Sequence, residues 1–231
     1  MALLWPILAL AALVVILFVA ERRWPDGVSR IEENIIALLL AAITLVSFVQ
    51  VIARYGFNTG WSGALEFTRI LFAWLILFGM SYGVKQGMHL GVDAFIRLLP
   101  KGAFKAVALF GAACTAAYAL ILLHYGWLSW LGADVNTNWR QTGAIGYWKF
   151  MFDRGTGLDD LRWPEFIQSA FGTQERVQRW IAYLMLPIGL SLLAFRSIQG
   201  FVQIWRGERE LLIAGHEAEE LVAENKGILK D

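Results

Sequence analysis

Apolar residues dominate five stretches of this chain, and polar residues separate them. The stretches cover approximately residues 2–20, 35–53, 62–84, 103–130 and 180–205. Each approaches or exceeds the roughly 20 residues that a helix needs to cross the hydrocarbon core of a bilayer. The alternation typical of transmembrane barrels is not seen, and open strand edges are not tolerated in lipid. The pattern therefore predicts an all-α, polytopic membrane bundle with four core spans, an extra N-terminal span and short amphipathic interfacial helices.

Composition supports a membrane protein. The 231 residues are 58% hydrophobic, with a mean hydropathy of +0.53, whereas about half of a soluble domain is apolar. Tryptophan is enriched where membranes meet water, and many of the 11 Trp lie near the ends of the apolar stretches or in the connections: Trp5, Trp24, Trp61, Trp127, Trp130, Trp180 and Trp205. The lipid bilayer is thus the main solvent of this chain.

Charge predicts orientation and excludes one class of partner. The net charge of +1 gives no polybasic footprint for nucleic acid. Cytoplasmic connections of membrane proteins are rich in Lys and Arg, and here the basic residues fall into three regions: Arg22, Arg23 and Arg30; Lys85, Arg97, Lys101 and Lys105; Arg206 and Arg209. We therefore expect these regions to be cytoplasmic and segments 54–61 and 131–179 to be external.

The first stretch is predicted to be retained as a span. It lacks a basic n-region and an A-x-A cleavage site before Glu21, which a removable signal peptide would have. The predicted division is an N-terminal helix (1–20), a cytoplasmic connector (21–34), a four-helix membrane domain (35–205) and an acidic, helical cytoplasmic tail (206–231). A helix peripheral to the bundle and a start codon set too early are the alternatives for the first stretch.

Ionisable residues at membrane depth are the first candidates for function. Glu66 and Arg69 lie three residues apart on one helical face, which favours a local ion pair that Arg54 joins. Arg196 lies inside the last stretch, where its side chain is expected to snorkel to the inner interface. No chain of carboxylates suggests a proton or sodium relay, so structural or interfacial roles are favoured.

Small residues suggest where helices approach closely. Gly79, Gly83, Gly87 and Gly91 form one stripe at four-residue spacing, and the fourth stretch offers matching small residues: Ala108, Gly111, Ala112, Thr115 and Ala116. Such stripes allow close helix packing in lipid; a backbone-lined substrate path is the alternative. The sole cysteine, Cys114, is also predicted to pack.

Residues 92–100 form a short amphipathic segment that is expected to lie on the inner membrane face until Pro100 ends it.

The sequence predicts neither a haem site nor a catalytic site. A membrane anchor that holds haem between helices uses paired histidines, whereas His124 is the only histidine within a span. No catalytic or cofactor-binding motif occurs, so we predict neither an enzyme nor a cofactor or metal site.

The long segment 131–179 contains IGYWKFMF and WPEFIQSAF, which are predicted to form short helices. Both a docking surface and a membrane-resting cap remain open for it.

A family resemblance emerges from the order of several short motifs. They are the lead-in RIEEN, a span ending in ARY, W-x(4)-E-x(2)-R opening the next span, W-x(4)-G inside it, and HLGVD…LLP after it. This order resembles the small membrane subunit of tripartite ATP-independent periplasmic (TRAP) transporters over about residues 30–206. The residues that match are Arg54, Tyr55, Trp61, Glu66, Arg69, Trp74, Gly79, His89, Val92, Asp93 and Pro100. Gly83 of the glycine stripe is predicted to have a structural or interface role beside them.

The resemblance implies partners and a location. Such a subunit forms a heterodimer in the bacterial inner membrane with a large elevator subunit that holds the substrate and sodium sites, and a periplasmic solute-binding protein delivers the solute. The matching residues are then scaffold and interface residues. The extra N-terminal stretch and the long external segment depart from the minimal pattern. The segment, with GLDDL, and the AEEL tail are similar to the branch for C4-dicarboxylates such as succinate, malate and fumarate. A redox-complex anchor and a stand-alone carrier or channel are the alternatives.

Overall fold

The computed structural model describes residues 4–86, 100–135, 138 and 142–207. The helices are α1 (Leu4–Arg23), α2 (Pro25–Gly56), α3 (Ala64–Gln86), α4 (Lys101–Leu123), α5 (Ala144–Arg154), α6 (Glu165–Phe171), α7 (Arg179–Tyr183) and α8 (Met185–Arg206), with a 3-10 helix at Tyr125–Leu131. Within those ranges, α1, α2, α3, α4 and the continuous α7–α8 segment are long and apolar enough to span a membrane. The all-α membrane bundle is confirmed.

Helix α8 is the centre of the bundle. It packs against α3 and α4 and also contacts α1 and α5, whereas α2 packs mainly on α3. The α3–α8 contact is close because Gly189 has no side chain, and a Cβ there would lie 2.5 Å from the Leu77 Cβ. Half of the α8 residues are therefore buried, and α2 keeps a broad exposed apolar surface.

The small residues of α4 face α8. Ala108 and Ala112 form an apolar cluster with Ala119 of the same helix and with Leu193 and Ala194 of α8. These small residues therefore pack closely, but against α8 and not against the glycine stripe of α3 that they were predicted to match. Within the described ranges, no such packing is found at Gly79 and Gly83 of α3.

A Cβ at Gly79 or Gly83 would meet no atom of the described residues within 4 Å, because α4 packs against α8 and not against these two glycines. Cys114 is exposed and does not pack, contrary to prediction. Gly87, Gly91 and the amphipathic segment up to residue 99 lie outside the described residues, as does the acidic tail after Gly207.

A small antiparallel hairpin adds the one sheet of the described ranges. Strands β1 (Gly157–Arg162) and β2 (Arg176–Gln178) pair around α6. The predicted short helices are confirmed as α5 and α6, but the hairpin was not predicted. We call the end of the bundle that carries it the hairpin end.

The predicted connector 21–34 is also largely helical, because α1 ends at Arg23 and α2 begins at Pro25.

Candidate functional site

Four charged side chains meet where α1 ends and α2 begins, far from the hairpin end. We call Glu21, Glu32, Lys85 and Arg196 the ion-pair cluster. Arg196 donates from Nη1 to Glu21 Oε2 at 2.5 Å and from Nη2 to Glu32 Oε1 at 2.6 Å. Lys85 Nζ lies 2.5 Å from Glu32 Oε2 and 3.3 Å from Glu21 Oε1. The Arg196 side chain is 1% exposed, so the cluster is an internal feature of the bundle.

The ion-pair cluster joins four helices, since its members lie on α1, α2, α3 and α8. Two cations face two carboxylates, and each cation contacts both. Charges this deep are tolerated when they are paired and hydrogen-bonded, and removing one partner is strongly destabilising. The expectation that Arg196 snorkels is wrong, because Glu21 and Glu32 bring carboxylates to it.

A second polar site fixes the hairpin to α3. The Glu66 carboxylate accepts backbone N–H groups from Asp159 at 3.3 Å, Asp160 at 2.9 Å and Leu161 at 2.8 Å. Beneath these bonds, Leu158, Leu161 and Val177 of the hairpin pack with Phe67 and Ile70 of α3. We call this contact the Glu66 clamp.

The Glu66–Arg69 ion pair predicted from the spacing is wrong. Glu66 turns to the hairpin, where three converging N–H donors satisfy its carboxylate better than one exposed guanidinium would.

Aromatic residues hold the first turn of α1 at the hairpin end. The Trp5 ring centroid lies 5.4 Å from that of Trp148 and 5.7 Å from that of Phe152, both on α5. Lys149, which pairs with Asp153, lies 5.8 Å from the Trp5 ring. Helix α1 therefore runs along the bundle from α5 to the ion-pair cluster.

Tyr147, also on α5, is 37% exposed, and its ring lies 5.3 Å from that of Tyr183. Burial, with a smaller contribution from Tyr183, raises the pKa of the Tyr147 phenol above its ordinary value of 10.0. The phenol is neutral at physiological pH with or without this shift, since its ordinary pKa is already 10.0.

A polar groove opens between α2 and α3 at the hairpin end. Its volume is about 730 Å³, and the side chains that line it include Ser47, Gln50, Arg54, Leu65 and Thr68. Gln50 shapes one wall, because its amide bonds to both the N–H and the C=O of Trp61 at 3.1 Å. Arg54 is exposed in this groove.

The other predicted site residues are scattered. Tyr55 is 83% exposed, Trp61 packs on Phe67, Trp74 stacks on Phe78, and Pro100 immediately precedes α4. His89, Val92 and Asp93 lie outside the described residues. Sequence reasoning missed Glu21, Glu32 and Lys85, although the RIEEN lead-in contains Glu32. Among the described side chains, no three His, Cys, Asp or Glu residues converge as metal ligands.

Comparison with known proteins places the chain in a family. The model of the family described as tripartite ATP-independent periplasmic transporters, DctQ component, matches residues 43–207. A C4-dicarboxylate TRAP transporter small permease protein of Vibrio cholerae is 37% identical over 87% of this chain and 84% of its own length.

More distant relatives agree with this match. Proteins with the same description from Pseudomonas aeruginosa and Rhodobacter capsulatus are each 28% identical, over 82% and 86% of this chain and 90% and 87% of their own lengths. No solved structure matches. The family match begins after Glu21 and Glu32 and includes Lys85 and Arg196, so the N-terminal helices supply the carboxylates of the ion-pair cluster to cations of the matched region. With its family match over most of its length and these relatives, the chain belongs to the DctQ family of TRAP transporter components.

Proposed function

We propose that this chain is the scaffold subunit of a sodium-coupled TRAP transporter for C4-dicarboxylates such as succinate, malate and fumarate. It forms a heterodimer with the large elevator subunit in the bacterial inner membrane. The substrate class is supported by the three relatives, each of which is described as a C4-dicarboxylate TRAP transporter small permease protein.

The observation that carries the scaffold role is that the bundle is fixed at both ends. The ion-pair cluster joins α1, α2, α3 and α8 at one end, and the Glu66 clamp joins α3 to the hairpin at the other. An elevator subunit that moves its substrate through the membrane needs a partner that stays still. Paired, buried charges suit such a support, because breaking any pair is costly.

The hairpin and the segment around it suit a docking role. In our proposal, segment 131–179 is periplasmic, the C-terminus is cytoplasmic, and the hairpin helps to receive the loaded solute-binding protein. Asp159 supports this role, because its side chain is 78% exposed although its backbone is held by the Glu66 clamp. A rigid loop with exposed polar groups loses little conformational entropy on binding.

Reconstituted transport tests the proposal. Proteoliposomes would contain the large subunit with or without this chain, together with a sodium gradient, the solute-binding protein and radiolabelled succinate. We expect sodium-dependent uptake only when both membrane subunits are present. Equal uptake by the large subunit alone, or uptake by this chain alone, would contradict the scaffold role.

A further inference from the structure

Two arginines near the hairpin end lack an anionic partner. Arg54 lies in the last turn of α2 and Arg69 in the second turn of α3, and both are exposed. Neither forms an ion pair with any residue of the described ranges. Glu66, the nearest carboxylate along α3, is already engaged by three backbone N–H groups. This face of the bundle therefore presents unneutralised positive charge.

The polar groove gives this charge a defined shape. Arg54 and Ser47 line it from α2, and Leu65 and Thr68 line it from α3. Arg69 lies one turn beyond Leu65 on the same face of α3. From Arg54 to Ser47 the groove runs along α2 for roughly 10 Å, at 1.5 Å per residue, so its polar lining continues into the span.

An apolar surface surrounds this lining. On α2, Phe48 and Val49 are 62% and 60% exposed, and on α3, Phe72 and Ile76 are 52% and 44% exposed. Hydrocarbon satisfies such apolar side chains but not a hydroxyl or a guanidinium. The groove thus combines the surface of a helix-packing site with polar groups that need a partner.

We infer that this groove binds a transmembrane helix of the large subunit that places a carboxylate side chain against Arg54 and Arg69. The inference rests on the proposed function. A groove between two helices is the usual seat of a third helix, and guanidinium groups pair with carboxylates in strong, often bidentate hydrogen bonds. A phospholipid phosphate would neutralise Arg54 near the end of α2, but it would leave the deeper Ser47 facing acyl chains.

Site-specific photocrosslinking tests the inference. In the full chain, co-expressed with its large subunit, p-benzoylphenylalanine replaces either Ser47 in the groove or Tyr118, which is 58% exposed on α4. We expect the probe at Ser47 to crosslink to one helix of the large subunit and the probe at Tyr118 not to do so.

Charge variants provide the second measurement. Arg54→Glu with Arg69→Glu is expected to lower the Ser47 crosslink roughly tenfold or more. The two new carboxylates would repel the carboxylate of the partner helix, which the two arginines attract. Arg54→Lys should retain most of the crosslink, and Arg22→Glu, an exposed charge reversal at the other end of α1, should leave it unchanged.

The outcomes separate this inference from the proposed function. If the two subunits copurify but the Ser47 probe labels only lipid, or if Tyr118 crosslinks equally well, the inference is wrong and the heterodimer stands. A crosslink that persists through Arg54→Glu with Arg69→Glu would also overturn it. If the subunits do not copurify, the proposed function itself fails.

Discussion

Arg196 and Glu21 are 175 residues apart in the chain, yet Nη1 of Arg196 donates to Oε2 of Glu21 at 2.5 Å. The contact joins the end of α1 to the middle of the central helix α8. Because Glu32 takes the other arm of the same guanidinium at 2.6 Å, the beginning of α2 is held there as well. The two N-terminal helices are therefore tied to the bundle by charge as well as by apolar packing.

The first prediction concerns the cation at the centre of the ion-pair cluster. Arg196→Met should destabilise the bundle by about 3–5 kcal/mol, since it leaves a carboxylate buried without its partner. The melting temperature of the purified subunit in detergent, followed by tryptophan fluorescence, measures the loss. The double variant Arg196→Met with Glu21→Gln should recover much of it, because Lys85 and Glu32 still pair. A single variant that melts like the wild type would show that the cluster contributes nothing.

How much of this arrangement the sequence predicts depends on whether the cause is local. The apolar helices are predicted well because a span is determined by its own residues. The ion-pair cluster is not, because its partners are brought together only by the order of helices around α8. A sequence pattern places Arg196 within a span, but it does not identify Glu21 or Glu32 as its partners.

The hairpin and the glycine stripe show the same limit. In β1, the buried Leu158 and Leu161 are three residues apart, so the alternation that predicts a strand is absent. The strand is held instead by Glu66, which is distant in sequence. Spacing likewise places Gly79 and Gly83 on one face of α3, but it cannot show whether another helix covers that face.

The second prediction concerns the Glu66 clamp. Glu66→Ala removes the acceptor of three backbone N–H groups, so hydrogen exchange should become faster in the 157–162 peptide, as measured by mass spectrometry. Hydrogen bonds to a charged group each contribute about 1.5–3 kcal/mol. Glu165→Ala, which removes another carboxylate near the hairpin, is the matched control and should leave this exchange unchanged.

The third prediction separates the hairpin from the subunit interface. Both Glu66→Ala and Arg69→Ala should weaken assembly or uptake without changing the preference among dicarboxylates, because neither residue is expected to contact solute. Only Glu66→Ala should accelerate exchange in β1, since no hydrogen bond or ion pair joins Arg69 to the hairpin in the described ranges. Competition of unlabelled malate and fumarate against labelled succinate measures the preference. A changed order of preference in either variant would contradict a scaffold role.

The fourth prediction compares two glycines in the bundle. Gly189→Ala places a Cβ 2.5 Å from the Leu77 Cβ and should cost about 1–3 kcal/mol by forcing α3 from α8. Gly79→Ala places a Cβ that no atom of the described residues approaches within 4 Å, so it should leave the isolated subunit as stable or up to about 1 kcal/mol more stable, since alanine favours helix. Thermal melts of the two variants in one detergent make the comparison. Equal destabilisation would show that Gly79 is covered after all.

The last prediction concerns the direction of α1. Its 20 residues span roughly 30 Å at 1.5 Å per residue, which matches the hydrocarbon core. Its first turn lies against α5 near the hairpin, and its end meets Arg196, so α1 should cross the membrane with its start on the hairpin side. In a Cys114→Ser background, a membrane-impermeant maleimide added to spheroplasts should label Leu4→Cys and Thr173→Cys but not Asp26→Cys. Thr173 and Asp26 are exposed positions on opposite sides of the predicted span. Labelling of Thr173→Cys without Leu4→Cys would mean that α1 does not cross the bilayer in this direction.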